Sequence, residues 1–174
     1  KIAFTQPARL DSLLSAEQTN QEQDTVRLKL LIDIAMEYWN KDPEKCLSYC
    51  DKSVELAEKI RDKKRLAIAL MKSGKANYVL NNRDEALSRF ESALQIYQTY
   101  DQYKKEVAIL NNYIGIIYCE TGNMAASIDA SQKSIAMFSA LGDSSSMSSA
   151  FFTLGKTYTY MGDYSNALSA DLQA

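Results

Sequence analysis

The sequence predicts an all-α fold, a solenoid of antiparallel helical hairpins, and three observations predict it. The first is an internal repeat. Gly74, Gly115 and Gly155 are 41 and 40 residues apart, each inside an apolar stretch and each followed by a tyrosine three or four places on: LMKSGKANY (70–78), NNYIGIIY (111–118) and FFTLGKTY (151–158). LLIDIAMEY (30–38) fits the same frame with Ala35 in the glycine place. The second is a further landmark after each stretch: Cys46, Ala86, Ser127 and Ala167, spaced 40, 41 and 40. A fixed period of this size marks a repeat architecture. The third is the scarcity of breakers. Two prolines and six glycines in 174 residues favour long helices over a turn-rich β fold.

The elements follow in order. Residues 9–16 are expected to form a short extra helix, and Glu17 to Asp24 a polar linker. Asp24 or Thr25 can cap the first repeat helix. Helices are then expected at 25–40, 43–60, 64–80, 83–99, 103–120, 124–140, 144–161 and 164–174. In the second unit Leu66, Leu70, Ser73, Gly74, Asn77 and Tyr78 recur at three- and four-residue steps, one face of a helix, as do Ala86, Phe90, Ala93, Leu94 and Tyr97. The turns between paired helices are Lys41-Asp42-Pro43, Asn81-Asn82-Arg83, Thr121-Gly122-Asn123 and Met161-Gly162-Asp163. Glycine and asparagine tolerate the left-handed conformation that ends a helix, and proline is compatible with the first helical turn. Small residues at Gly74, Gly115, Gly155, Ala86 and Ala167 let paired helices approach, with Phe90, Tyr118 and Tyr158 filling the space beside them. The serines at 144, 145, 146, 148 and 149 fall where a helix must start and read as capping residues. The division is residues 1–24 as an N-terminal segment, then a solenoid over 25–174 with repeats at about 25–63, 64–102, 103–143 and 144–174, the last truncated.

These units resemble the tetratricopeptide repeat family. Gly155, Tyr158 and Ala167 match its signature, as do Gly74, Ala86, Phe90 and Ala93 in the second unit, and the resemblance spans about residues 26–174. The spacing is longer than the family's usual one and is similar to an extended subtype whose units often end in Leu-Gly-Asp, as Ala140-Leu141-Gly142-Asp143 does here. Asn77 stands where a tyrosine is expected. Ser127, Ser131 and Ser134 replace larger or apolar residues and are expected to soften the packing of the third unit. The resemblance implies a right-handed superhelix, stacked so that each unit buries its neighbour's face. No polar capping helix follows the fourth unit, so the chain is expected to continue, or that edge to be buried by another chain, self-association included.

Composition bounds the chemistry. At 46% hydrophobic and 24% charged residues the chain reads as an ordinary soluble domain. Its net charge of −2 offers no field toward nucleic acid or anionic lipid. It has no histidine, which removes the commonest general base and metal ligand. No apolar run approaches the roughly 18 residues that span a bilayer, so no membrane contact is expected from this segment. Three cysteines without close framework spacing argue against a disulfide-stapled fold. Lys1 in place of a methionine is expected to be a processed or trimmed start. Lys1-Ile2-Ala3-Phe4-Thr5-Gln6 fits the tail of an export signal, with Ala3 and Thr5 as the small residues before the cut; a disordered chain end is the alternative.

Candidate chemical sites reduce to structure. Cys46 and Cys50 have the spacing of two metal ligands on one helix, with Cys119 as a third, but they align with Ala86 and Phe90 and read as buried small hydrophobes. No metal and no cofactor is therefore expected. Asp33 and Glu37 make a carboxylate pair on an exposed helix face. The basic run Lys59, Arg61, Lys63, Lys64 and Arg65, echoed by Lys104 and Lys105, reads as a solvated turn rather than a nucleic-acid edge. Without histidine a nucleophile–base pair could be assembled only through lysine, and nothing marks one out, so the expected function is not enzymatic.

The resemblance implies a concave groove lined by the first helix of each hairpin, with a protein or peptide as its ligand. The inward positions it implies are Ile32, Met36 and Trp39; Met71, Lys75 and Tyr78; Asn112, Ile116, Cys119 and Glu120; and Phe152, Lys156 and Tyr160. Among them Trp39, Met71, Lys75, Tyr78, Asn112, Ile116, Lys156 and Tyr160 form the expected peptide site, Lys and Asn for backbone or carboxylate groups and Met, Trp and Tyr for apolar contact. Lys75, Asn112 and Lys156 only partly echo the family's chaperone-tail clamp. With its Asp24-Thr25-Val26-Arg27 start and Asp42-Pro43-Glu44-Lys45 turn, the segment resembles sensor regions of bacterial signalling proteins, where such repeats precede a membrane segment and an output domain. That resemblance implies a regulatory or sensory module, exported to the periplasm rather than cytoplasmic. A stand-alone cytosolic adaptor, or a co-chaperone-like interaction protein, is the alternative.

Overall fold

The computed structural model describes residues 6–20, 22 and 24–174, and among them every regular element is helical. The elements are α1 (Gln6–Thr19), α2 (Thr25–Tyr38), α3 (Pro43–Lys59), α4 (Lys63–Val79), α5 (Arg83–Tyr97), a 3₁₀ turn (Asp101–Tyr103), α6 (Lys104–Glu120), α7 (Met124–Leu141), α8 (Ser144–Tyr160) and α9 (Tyr164–Asp171). The eight repeat helices lie at the expected places, with ends shifted by up to three residues. The extra N-terminal helix is longer than expected and shortens the polar linker from its front end. Residues 1–5, which carry most of the export-signal reading, lie outside the described residues.

The same two-residue device ends one helix and starts the next. A left-handed residue is followed by an Asp or Asn whose side chain caps the next helix. Gly122-Asn123, Gly142-Asp143 and Gly162-Asp163 do this with φ of 85°, 67° and 76° at the glycine. The capping residue's own N–H reaches back five residues, Asn123 to the Tyr118 carbonyl at 2.8 Å, Asp143 to Phe138 at 3.0 Å and Asp163 to Tyr158 at 2.9 Å, which satisfies a helix-end acceptor. Asn81-Asn82 reproduces the backbone pattern, with φ 66° at Asn81 and Asn82 N–H on the Asn77 carbonyl at 2.9 Å. Arg61-Asp62 does so with an arginine at φ 58°. Asp24 caps α2 by accepting from the Val26 and Arg27 amides, both at 2.9 Å. At α8 the cap is Asp143, which accepts from the Ser146 amide at 3.1 Å, and not one of the serines.

The chain forms two compact units, one through Ala93 and one from Leu94 on, the boundary falling inside α5. In the first, Leu28 and Leu31 of α2 bury against Leu56 and Ala57 of α3. Ala35, Cys46, Cys50 and Ala76 form a second cluster joining α2, α3 and α4. Helix α1 is tied to α2 by ion pairs, Arg9 to Glu37 at 3.3 Å and Arg27 to Glu17 at 3.2 Å. Gly74 of α4 receives the fully buried ring of Phe90 from α5; a Cβ at position 74 would lie 2.7 Å from two ring carbons.

In the second unit α6, α7 and α8 pack through small polar residues. Ser127, Ser131 and Ser134 of α7 are fully buried. Ser127 Oγ donates to the Gly115 carbonyl at 2.9 Å and lies 2.8 Å from Thr157 Oγ1, while Ser134 Oγ donates to the Ala108 carbonyl at 2.9 Å. Ser127 and Ser134 therefore join helices at close range, because a hydroxyl occupies little volume and answers a carbonyl left accessible beside it, whereas Ser131 Oγ is buried without a partner. Lys105 of α6 reaches Asp143 at the start of α8, 2.8 Å away.

Candidate functional site

In the first unit the expected site residues divide by burial. Trp39 follows the last turn of α2, half-buried, and packs against the cluster of Ala35, Cys46, Cys50 and Ala76. Met71 is buried in α4. Lys75 is half-buried, and removal from water pushes its ammonium below the usual lysine range because burial disfavours the charged form. Tyr78 is half-buried, with the Arg83 guanidinium 4.2 Å above its ring centre, a cation–π contact. Neighbouring Lys72 was not legible as a site residue. It too is half-buried, and burial, then Lys75, pushes its pKa down while Cys50 and Cys46 oppose the shift.

In the second unit Asn112 bridges two helices. Its Nδ2 donates to Ser149 Oγ at 3.0 Å, and its Oδ1 accepts from Thr153 Oγ1 at 3.2 Å. Both ends of the amide are therefore engaged by α8. Ile116 is half-buried on α6. The structure brings Lys156 and Tyr160 together, the ammonium 5.6 Å from the ring centre. Phe152, one turn earlier on α8, is 64% exposed and Tyr160 is 58% exposed. At spacings of four residues Phe152, Lys156 and Tyr160 share one helix face, an aromatic–cation–aromatic stripe open to solvent.

The three cysteines are buried free thiols. Cys119, expected to face the groove, is only 2% exposed. The hydrogen bond with Cys46, and then burial, push the Cys50 thiol up, so it stays protonated. Among the described residues no three Cys, Asp or Glu side chains gather as a metal site, and no helix is long and apolar enough to cross a membrane.

A model of the tetratricopeptide repeat matches residues 34–99 and 106–174. The chain belongs to the tetratricopeptide repeat family. No functionally curated protein matches it. Similar solved structures include BtubC (BKLC) from P. vanneervenii, at a TM-score of 0.81 and 18% identity over 92% of this chain and 67% of that one. The apo form of RapI superposes at 0.82 with 15% identity, over 95% and 46% of the two chains. A signal transduction ATPase with numerous domains from Pyrococcus horikoshii, which carries a tetratricopeptide repeat sensor, superposes at 0.83 with 17% identity; the match covers 98% of this chain and 27% of that one. At these identities the likeness shows the fold. A tetratricopeptide fold is a protein-interaction scaffold rather than a typical catalytic one, and it carries side chains such as Lys156 and Tyr160 on rigid helices instead of loops.

Proposed function

We propose that this chain is the regulatory or sensory module of a larger bacterial signalling protein, and that it binds a protein or peptide on the inner faces of its first-in-pair helices. The observation that carries the reading is the stripe on α8. Phe152 and Tyr160 expose large aromatic surface on either side of the Lys156 ammonium. Two open aromatics with a cation between them suit a peptide carrying apolar side chains and a carboxylate, since aromatic anchors dominate interface energies and an ammonium favours an anionic acceptor. Within the second unit Asn112 steadies α8 through Ser149 and Thr153, and Ile116 of α6 is included in the proposed surface; Trp39, Met71, Lys75 and Tyr78 are the proposed contacts on the helices of the first unit. The sensory role is supported by the Pyrococcus horikoshii protein, whose repeats are described as a sensor. Occupancy of the inner face would favour one arrangement of the repeats and bias an attached domain by the difference in affinity for the two states.

The test of the module role is the parent reading frame on both sides of residues 1–174. A membrane span and an output domain downstream, with an export signal upstream, are the expected result. A methionine start and a stop codon soon after Ala174 would overturn the sensor reading in favour of a stand-alone adaptor.

A further inference from the structure

The connection from α5 to α6 is longer than its counterparts. Residues 60–62 join α3 to α4 and residues 142–143 join α7 to α8, whereas residues 98–103 lie between α5 and α6 and include the 3₁₀ turn. This longer segment frames a cavity of about 530 Å³ whose lining falls entirely within residues 94–137. Its size is that of a small-molecule pocket, roughly 300–1,000 Å³. Leu94, Val107 and Met137 give it apolar walls. Tyr97 lines it with a ring fixed by Tyr103, the centroids 4.9 Å apart, and Tyr103 meets Tyr100 edge-on at 5.9 Å.

Two polar groups inside are not spent on the fold. Tyr97 is 1% exposed, yet among the described residues its hydroxyl has no hydrogen-bond partner. Asn111 is 7% exposed, and its Nδ2 donates to the Val107 carbonyl at 2.9 Å. That bond fixes the amide, because only the nitrogen can face a carbonyl, and it leaves Oδ1 as an acceptor with no donor among the described residues. Neither atom is sealed inside the protein; both residues line the cavity, where a few placed polar groups among apolar walls orient a ligand that answers both. At the mouth stand Lys104, Lys133, Gln98 and Asp101. Lys133 is held by Asp129 at 2.6 Å. Lys104 is exposed and, among the described residues, has no carboxylate within ion-pair distance.

We propose that this cavity binds a small hydroxylated aromatic acid. The ring lies between Leu94, Val107 and Met137, the hydroxyl donates to Asn111 Oδ1 and accepts from Tyr97, and the carboxylate meets Lys104. The site is separate from the inner-face surface and does not depend on it.

The test is a titration of the isotopically labelled full chain with 4-hydroxyphenylacetate, following the Met137 methyl and Asn111 side-chain amide signals by NMR. Saturable shifts at both are expected. Phenylacetate, without the hydroxyl, and 4-hydroxyphenethyl alcohol, without the carboxylate, should each bind about tenfold more weakly. Lys104→Met should weaken the acid about tenfold and leave the alcohol unchanged, and Tyr97→Phe should weaken both hydroxylated probes and leave phenylacetate unchanged. Neither pattern follows from a merely structural role. Absence of saturable shifts, equal binding of the three probes, or equal binding of 4-hydroxyphenylacetate by Lys104→Met would overturn the proposal.

Discussion

One glycine position, repeated three times, should give three different answers to the same substitution. Gly74, Gly115 and Gly155 occupy equivalent places in helices α4, α6 and α8. In a helix interior, alanine is favoured over glycine by roughly 0.8–1 kcal/mol, so the local expectation is stabilisation at all three. The partner sixteen residues on decides otherwise. At Gly74 the new Cβ would sit 2.7 Å from two carbons of the Phe90 ring. That ring is fully buried, so it cannot swing away without moving its neighbours. Overpacking of this kind costs roughly 1–3 kcal/mol, which outweighs the propensity gain. G74A should therefore be less stable by about 1 kcal/mol, or roughly 2–4 °C in melting temperature for a chain of this size. At Gly115 the closest atom is Ser131 Oγ at 2.9 Å, with the nearest backbone atoms at 3.4 and 3.5 Å. One hydroxyl rotation relieves it, and G115A should be near neutral. At Gly155 the closest atom is Asp171 Oδ1, the far end of an exposed, flexible carboxylate. G155A should be more stable by up to about 1 kcal/mol. Urea unfolding followed by far-ultraviolet circular dichroism gives the order. Finding G74A as stable as G155A would refute the packing account of the repeat.

Further outcomes follow from the same structure. Ser127→Ala removes a buried hydroxyl that serves both the Gly115 carbonyl and Thr157 and should cost about 1–2 kcal/mol. Ser131→Ala removes a buried Oγ without a partner and should be neutral or stabilising, both read from denaturation midpoints. Arg61→Gly relieves a left-handed arginine and should raise stability by about 1 kcal/mol, whereas a fall would mean that the side chain makes a stabilising contact. The Asp143 carboxyl is held below its ordinary value of 3.8 by Lys105 and then by the Ser146 amide, and Asp42 by the Lys45 amide and side chain. A carboxyl depressed in the folded state stabilises above its unfolded value and loses that contribution as pH falls through the folded one. Stability should therefore decline as pH drops below about 4, and Asp143→Ala should flatten part of that slope in midpoints measured across pH.

The hairpins were legible because their punctuation is local. Gly122, Gly142, Gly162 and Asn81 announce left-handed helix ends by residue type alone, and the Asp or Asn after each announces the next start. Arg61 does the same work with no such signal, since nothing in an arginine favours positive φ; its place was readable only from the period of the repeat. Helix α1 was only half-read, because its sequence carries little apolar periodicity and its ends are set instead by contacts with α2, such as Arg9 with Glu37. Two of the third unit's serines have a role that only tertiary structure shows. In sequence they are small polar substitutions, and only the closeness of α6 and α8 turns Ser127 and Ser134 into interhelical bonds, while Ser131 Oγ is left without a partner. At the candidate site, spacing alone placed Lys156 and Tyr160 on one face. It could not say that the Asn112 amide is engaged at both ends, that Cys119 turns into the core, or that Lys75 is half-buried. For that last reason glutamate at position 75 tests stability together with binding, and Lys156 is the cleaner probe.

The central claim, a peptide-binding tetratricopeptide scaffold, is tested most directly by selecting binders from a random peptide library and mapping the best one on the labelled chain by NMR. The expected result is shifts concentrated on α8 around Phe152, Lys156 and Tyr160 and on α6 around Asn112 and Ile116, with affinity lost in K156E while its unfolding midpoint stays unchanged. Shifts confined to α5, α7 or the loops, or full affinity in K156E, would contradict it.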